Sequence, residues 1–258
     1  MSGARKVKLG AVLAVLAAVL RVLTDRRFLV QAVPIPFAMM FAAEWASHAI
    51  ASSIVHLAAL IAVAIALASL AVRTHRHILL REDPSATALG GLEWAYLGRV
   101  IALYLPVFAA AVVFVAIYVL LVTQEFLSSP TAHPVWPLYV SLAFIVGVVP
   151  VLVGVVVLPA MLALPALAIG RSQFGETDSR TTVKGNRLRI LALAVIVWLL
   201  PEIPLLALVL GAGEIVSANA IAMALLDGIG TTLGGILFAA LLSILYAGLV
   251  EENAEFAA

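Results

Sequence analysis

The sequence predicts an all-α polytopic membrane protein: a transmembrane helical bundle of six spans, with an N-terminal amphipathic helix lying in the interface. Three observations predict it. Of 258 residues, 64% are hydrophobic and only 11% charged, whereas soluble domains run at about 45–50% and about 25%. The 15 Lys+Arg and 14 Asp+Glu are too few to cover the surface of a water-soluble fold of this length. Apolar runs also recur at the length a bilayer demands, about 20 residues for a hydrocarbon core of about 30 Å. Finally, all 15 Lys and Arg fall into three segments separated by those runs.

The first element is Leu9 to Leu20, which follows Arg5, Lys6 and Lys8. It is short for a span, and Arg21 and Asp25-Arg26-Arg27 follow it where a cleaved signal would place a small-x-small site. Leu9, Val12, Leu13, Leu16, Leu20 and Leu23 recur at helical spacing opposite an alanine-rich face, so residues 1–26 read as a cytoplasmic N-terminus with an interfacial helix.

The six spans occupy about 27–47, 51–73, 96–122, 136–169, 189–212 and 231–250, within a transmembrane domain of residues 27–250. The first carries Gln31, Pro34 and Pro36. The second is uniformly apolar from Leu57 to Val72, and the third has nothing more polar than Tyr104 and Tyr118. The fourth draws on 29 consecutive apolar, Gly or Pro residues between Ser141 and Arg171. The fifth is interrupted by Glu202 between Pro201 and Pro204, and the sixth opens with Gly230-Thr-Thr-Leu-Gly234, whose GxxxG spacing lets two backbones approach closely. Pro106, Pro150, Pro159 and Pro165 fall within long spans, where kinks are expected. Ile215 to Gly230 reads as a loop with a short surface or re-entrant helix, and residues 251–258 as an acidic cytoplasmic tail.

Topology follows from the cations. Arg5, Lys6, Lys8, Arg21, Arg26 and Arg27 precede span one. Arg73, Arg76, Arg81 and Arg99 lie between spans two and three, and Arg171, Arg180, Lys184, Arg187 and Arg189 between spans four and five. The alternate loops near 44–52, 123–135 and 213–230 hold none. Because Lys and Arg are retained on the cytoplasmic side, both termini are expected inside. Trp45, Trp94 with Tyr96, and Trp136 sit near span ends, where amphipathic rings favour the headgroup level.

Without cysteine there are no disulfides, thiolate metal sites or thiol nucleophiles. A net charge of +1 argues against nucleic-acid binding. No Ser/His/Asp grouping, paired carboxylates or phosphate loop can be assembled, so the chain reads as non-enzymatic, with neither cofactor nor metal expected. Two polar features stand against that. Glu202 either marks a proton or ion path in mid-membrane, or sits at a proline break where the chain leaves the bilayer or lines a wet cavity. Glu44 and His48, four residues apart and on one helix face, with His56 beyond, either begin a metal or proton site or serve loop solvation and helix–helix hydrogen bonding. They lack a complete ligand set and an HExxH pattern.

Two basic segments carry a family resemblance. His75-Arg76-His77-Ile78-Leu79-Leu80-Arg81-Glu82 resembles an H-R-x-x-L-L-G-E signature of hypothetical multi-pass proteins, with Arg81 in place of the Gly. Leu164-Pro165-Ala166-Leu167-Ala168-Ile169-Gly170, followed by Lys184-Gly185-Asn186-Arg187-Leu188-Arg189, is similar to the "LPA…T-(R/K)-G-N-x-x-R" pattern of six-helix YciC-like inner-membrane proteins. The same pattern occurs in the membrane domain fused to some glycerophosphodiester phosphodiesterases. Val183 stands at the usual Thr position. The resemblance implies a multi-pass bacterial inner-membrane protein without an established activity, the phosphodiesterase chemistry belonging to a soluble domain. On physical grounds Lys184, Arg187, Arg189 and Arg76 suit anionic lipid headgroups, and Gly185-Asn186 suits a turn. The expected role is envelope organisation or a partner subunit of a membrane assembly. The alternatives are a small-solute or lipid transporter with its path near Glu202, and a lipid-headgroup enzyme, which would need Glu44, His48, His56 and Glu202 in one pocket.

Overall fold

The computed structural model describes residues 10–83, 90–128, 157–212 and 219–250, and their regular structure is helical without a strand. Helix α1 is Gly10–Thr24. Asp25 then caps α2, Arg26–Ala32, by accepting from the Arg27 and Phe28 amides at 2.8 and 3.2 Å. α3, Pro34–Ala49, is bent 50° from α2. The prolines cause the bend: Pro34 and Pro36 have no N–H, so the carbonyls of Val30 and Ala32 lose their helical donors. Arg73 fills one of these gaps from a buried position, donating to the Ala32 carbonyl at 3.1 Å.

Three residues return the chain into α4, Ser53–Leu80, a 28-residue helix that ends with Arg81 in the left-handed conformation at φ 56°. α5, Gly91–Ser128, runs 38 residues and stays helical through Pro106. After a 3₁₀ turn, Leu158–Ala160, come the short α6, Ala163–Ala168, and α7, Glu176–Val183. Gly170 closes α6 at φ 80°, where its amide reaches the Leu167 carbonyl and the next amide reaches Ala166. α8, Arg187–Ala212, remains helical through Pro201 and Pro204, so the backbone does not break at Glu202. α9, Ala220–Leu249, starts at Asn219, whose side chain accepts from the Ile221 and Ala222 amides.

These bounds revise the predicted spans. Four helices, α4, α5, α8 and α9, are long and apolar enough to cross a membrane, or five if the bent α2–α3 pair counts as one span. Six are not reached among the described residues. Most of the expected span 136–169 lies outside them, and its described part is a 3₁₀ turn and a six-residue helix, divided around Pro159 and Pro165. The expected loop before Gly230 is helix from Ala220 onward, because Asn219 supplies the cap and α9 finds neighbours along its whole length.

α9 is the axis of the bundle, touching α1, α3, α4, α6 and α8. Of its apolar stretch 67% is buried, against 6% of that of α5. Small residues make that possible. A Cβ on Gly230 would stand 2.6 Å from Leu205 Cδ1 and one on Gly234 would stand 4.0 Å from Pro201 Cγ, so the GxxxG pair faces α8. Gly228 and Gly235 turn to α3 and α4. The core gathers Leu241, Leu242, Ile244 and Tyr246 of α9 with Leu164 of α6 and Ile190 of α8, and Phe174 meets the Tyr246 ring edge-on at 5.5 Å.

α1 packs on α9 and α4 through Ala18, Val19 and Val22. The leucine stripe expected to define its apolar face is divided: Leu13 and Leu20 are 71% and 61% exposed, while Leu23 packs against the core. In a bilayer this is consistent: small side chains give close helix contact, and leucine is equally well solvated by lipid tails.

Candidate functional site

Among the described residues, three groups of polar side chains stand out. The innermost ties α4, α5 and α9 together. His75, with no exposed surface, places Nδ1 2.8 Å from Ser243 Oγ and Nε2 3.1 Å from the Tyr96 hydroxyl. Ser243 donates its single hydroxyl proton to the Ala239 carbonyl at 2.9 Å. Its oxygen therefore accepts from His75 Nδ1–H, and Nε2 accepts from Tyr96. This tautomer gives a neutral imidazole with both nitrogens satisfied. Thr74 and Thr232 likewise return their hydroxyls to carbonyls of their own helices. Among the described residues no buried side-chain nitrogen or oxygen lacks a partner.

The second group is the basic end of the bundle. Arg76 Nε donates to Glu82 Oε2 at 2.8 Å while Nη1 reaches the Ala168 carbonyl at 3.2 Å, so the two segments that carry the family resemblance meet in space. His77 lies 3.2 Å from Asp25 and packs its ring against that of Phe28, the centroids 4.9 Å apart. Arg99 pairs with Glu176 at 2.8 Å, and Arg27 with Asp83 at 3.5 Å. These contacts draw the three cation-bearing segments to one end. Asp25, outside the spans, has its carboxyl held below the usual range, first by the Phe28 amide and then by the Arg27 amide and the neighbouring His77 and Arg27 charges. Lys184, Gly185, Arg187 and Arg189 are exposed on this rim, with Gly185 at φ 92° making the turn into α8. His75 and Asn186 are not on it: both are buried, which removes them from contact with lipid headgroups.

The third group lies at the opposite end. Glu44 and His48 occupy successive turns of α3, and α9 brings Asp227 to them. His48 Nε2 stands 2.9 Å from Asp227 Oδ2, and one donor atom from each of Glu44, His48 and Asp227 lies within 4.8 Å of the other two. Beside Asp227 the two helices run close: a Cβ on Gly228 would stand in van der Waals contact with the Phe41 backbone, at 3.5 Å. His56 does not join them; its Nδ1 donates to the Ser52 carbonyl of its own helix start at 2.7 Å. Glu202 lies on α8, where its backbone alone is described. The structure thus unites Glu44 and His48 of the predicted residues and adds Asp227. Asp227 escapes the sequence pattern because Ile215–Gly230 reads as a loop there; the signal that puts it on a helix is Asn219 as the cap.

An open groove on α5, lined by Ala109, Ala110, Val113, Phe114 and Ile117, is apolar and belongs to one helix. No protein family, curated protein or solved structure matches this chain.

Proposed function

We propose that the chain is a non-enzymatic multi-pass protein of a bacterial inner membrane, of YciC-like kind, with both termini in the cytoplasm. In this reading it serves envelope organisation as a partner subunit of a larger membrane assembly. The observation that carries it is that, among the described residues, no buried side-chain nitrogen or oxygen lacks a partner within the protein. His75, Tyr96 and Ser243 form a closed set, and Arg73 and Arg76 cap carbonyls of other elements. Such groups hold helices in place and present nothing to a solute. The exposed cations of the basic rim, Lys184 and Arg187 among them, suit anionic headgroups on the cytoplasmic face.

Purification from native membranes in mild detergent tests the role: a stoichiometric protein partner is expected, and a chain that runs alone in every detergent would refute it. The cysteine-free sequence makes the orientation directly testable. A single cysteine introduced at Lys184 should be labelled only from the cytoplasmic side, and one at Ser52 only from the other.

One observation favours a transporter as the second reading. Pro201 and Pro204 leave the carbonyls of Val197 and Leu200 without helical donors beside Glu202, a polar strip in the otherwise apolar stretch from Ile190 to Ala212. Solute or proton flux in proteoliposomes that falls with Glu202→Gln would replace the subunit reading; unchanged flux would remove the residue on which the transporter rests.

A further inference from the structure

We propose that Glu44, His48 and Asp227 form a binding site for a zinc-class divalent cation that clasps α3 to α9 at the end of the bundle opposite the basic rim. The donor set is one imidazole nitrogen and two carboxylates, drawn from two helices, with a fourth position left to water, as open three-ligand zinc sites are built. Donor atoms of a tetrahedral zinc stand about 3.3 Å apart, from bonds of about 2.0–2.2 Å. Here His48 Nε2 and Asp227 Oδ2 are already 2.9 Å apart, and all three donors lie within 4.8 Å, a spread that side-chain rotation closes. The backbone is prepared for this: Glu44 and His48 share a face of α3, and α9 passes close to Phe41 at Gly228, the residue after Asp227.

Charge points to the same ligand. Two carboxylates face a single imidazole, and the sequence places no Lys or Arg anywhere in 28–72 or 190–258. The helices that build the cluster therefore hold no cation of their own, and neutralisation must come from solution. A +2 ion matches the two carboxylates, and the nitrogen donor selects a transition ion of zinc type over Mg²⁺ or Ca²⁺.

The test uses the full chain, purified in detergent with a histidine-free tag and stripped with chelator. Calorimetric titration with Zn²⁺ should give one ion per chain, with at least tenfold weaker binding of Mg²⁺. Asp227→Asn and His48→Gln should each weaken Zn²⁺ binding about tenfold or more, while His56→Gln, four residues beyond Ser52, leaves it unchanged. Size-exclusion and circular dichroism confirm that the variants are folded. Should a variant fail to fold, zinc X-ray absorption on the unaltered protein decides the matter through a shell of nitrogen and oxygen with a single imidazole. Binding that survives the Asp227→Asn/His48→Gln double variant, equal affinity for Mg²⁺, or a shell with two or more imidazoles would overturn the proposal.

Discussion

Replacing Ser243 with alanine isolates one bond of the buried set. The Ala239 carbonyl keeps its helical amide donor, and Tyr96 keeps its acceptor, so the only group stranded is His75 Nδ1–H. A buried donor without a partner costs about 1–3 kcal/mol. Hydrogen bonds between membrane helices, measured by double-mutant cycles, average about 0.6 and reach about 1.7 kcal/mol, because the unfolded chain in lipid finds substitutes. His75 has no exposed surface, so Ser243→Ala is expected near the upper end of the overlap, about 1–2 kcal/mol, or about a 5–30-fold shift toward unfolding. Unfolding in mixed micelles, titrated with a denaturing detergent and followed by circular dichroism, reads this directly. Tyr96→Phe strands only an acceptor lone pair and should cost less. The order matters: if Tyr96→Phe proves the more damaging, the imidazole carries its proton on Nε2 and the assigned direction of the set is wrong. If both are neutral, the three groups do not hold the helices.

Three other perturbations test the frame. Arg73→Met removes the donor to the Ala32 carbonyl at the proline bend and should lower stability by about 1–3 kcal/mol in the same titration, since that carbonyl has no helical donor to return to. Asp25→Asn keeps the cap of α2 but removes the charge. A carboxyl held below its unfolded value stabilises the fold above that value and loses the contribution as pH falls through the folded one. Stability of the original protein should therefore drop further between pH 5 and pH 2 (about the carboxylate range) than that of Asp25→Asn; parallel curves would refute the assignment. Gly228→Ala fits at 3.5 Å from the Phe41 backbone, whereas Gly228→Leu must push α9 off α3. A spin-label distance between α3 and α9 should lengthen for leucine alone.

How far the sequence carried the fold depends on which force set each element. The spans at α4, α5 and α8 are visible because bilayer thickness demands an uninterrupted apolar run, and composition records it. The start of α9 was not visible, because Asp227, Gly228 and Gly230 resemble loop chemistry until their neighbours are known. Gly230 is there for closeness to Leu205, and Gly228 faces Phe41, which only the packed structure reveals. The same blindness hid the clustered site. Glu44 and His48 share a helix face by spacing alone, whereas Asp227 lies far away in the chain and reaches them through the α3–α9 contact. His75 misled in the other direction: its flanking arginines mark a basic rim, yet the helix turns this one residue inward to Ser243 and Tyr96.

Depth along α9 separates Asp227 from Glu202. His75, next to the rim residue Arg76, is level with Ser243, so the basic headgroup plane lies near Ser243–Tyr246. Counting back about 20 residues, the length that spans the hydrocarbon, places the opposite interface near residues 223–226. Asp227 is within a turn of that plane, and Trp45, 45% exposed beside Glu44, marks the same level as an interfacial ring would. Glu202 is set by different neighbours: Pro201 packs at Gly234 and Leu205 at Gly230, which puts it about ten residues, or about 15 Å, from either plane. A carboxylate at the Asp227 level is in reach of water and can take an ion from solution. One at the Glu202 level must be neutral, paired or wetted by a path, so the clasp and the transporter reading rest on different acids and are decided by separate experiments.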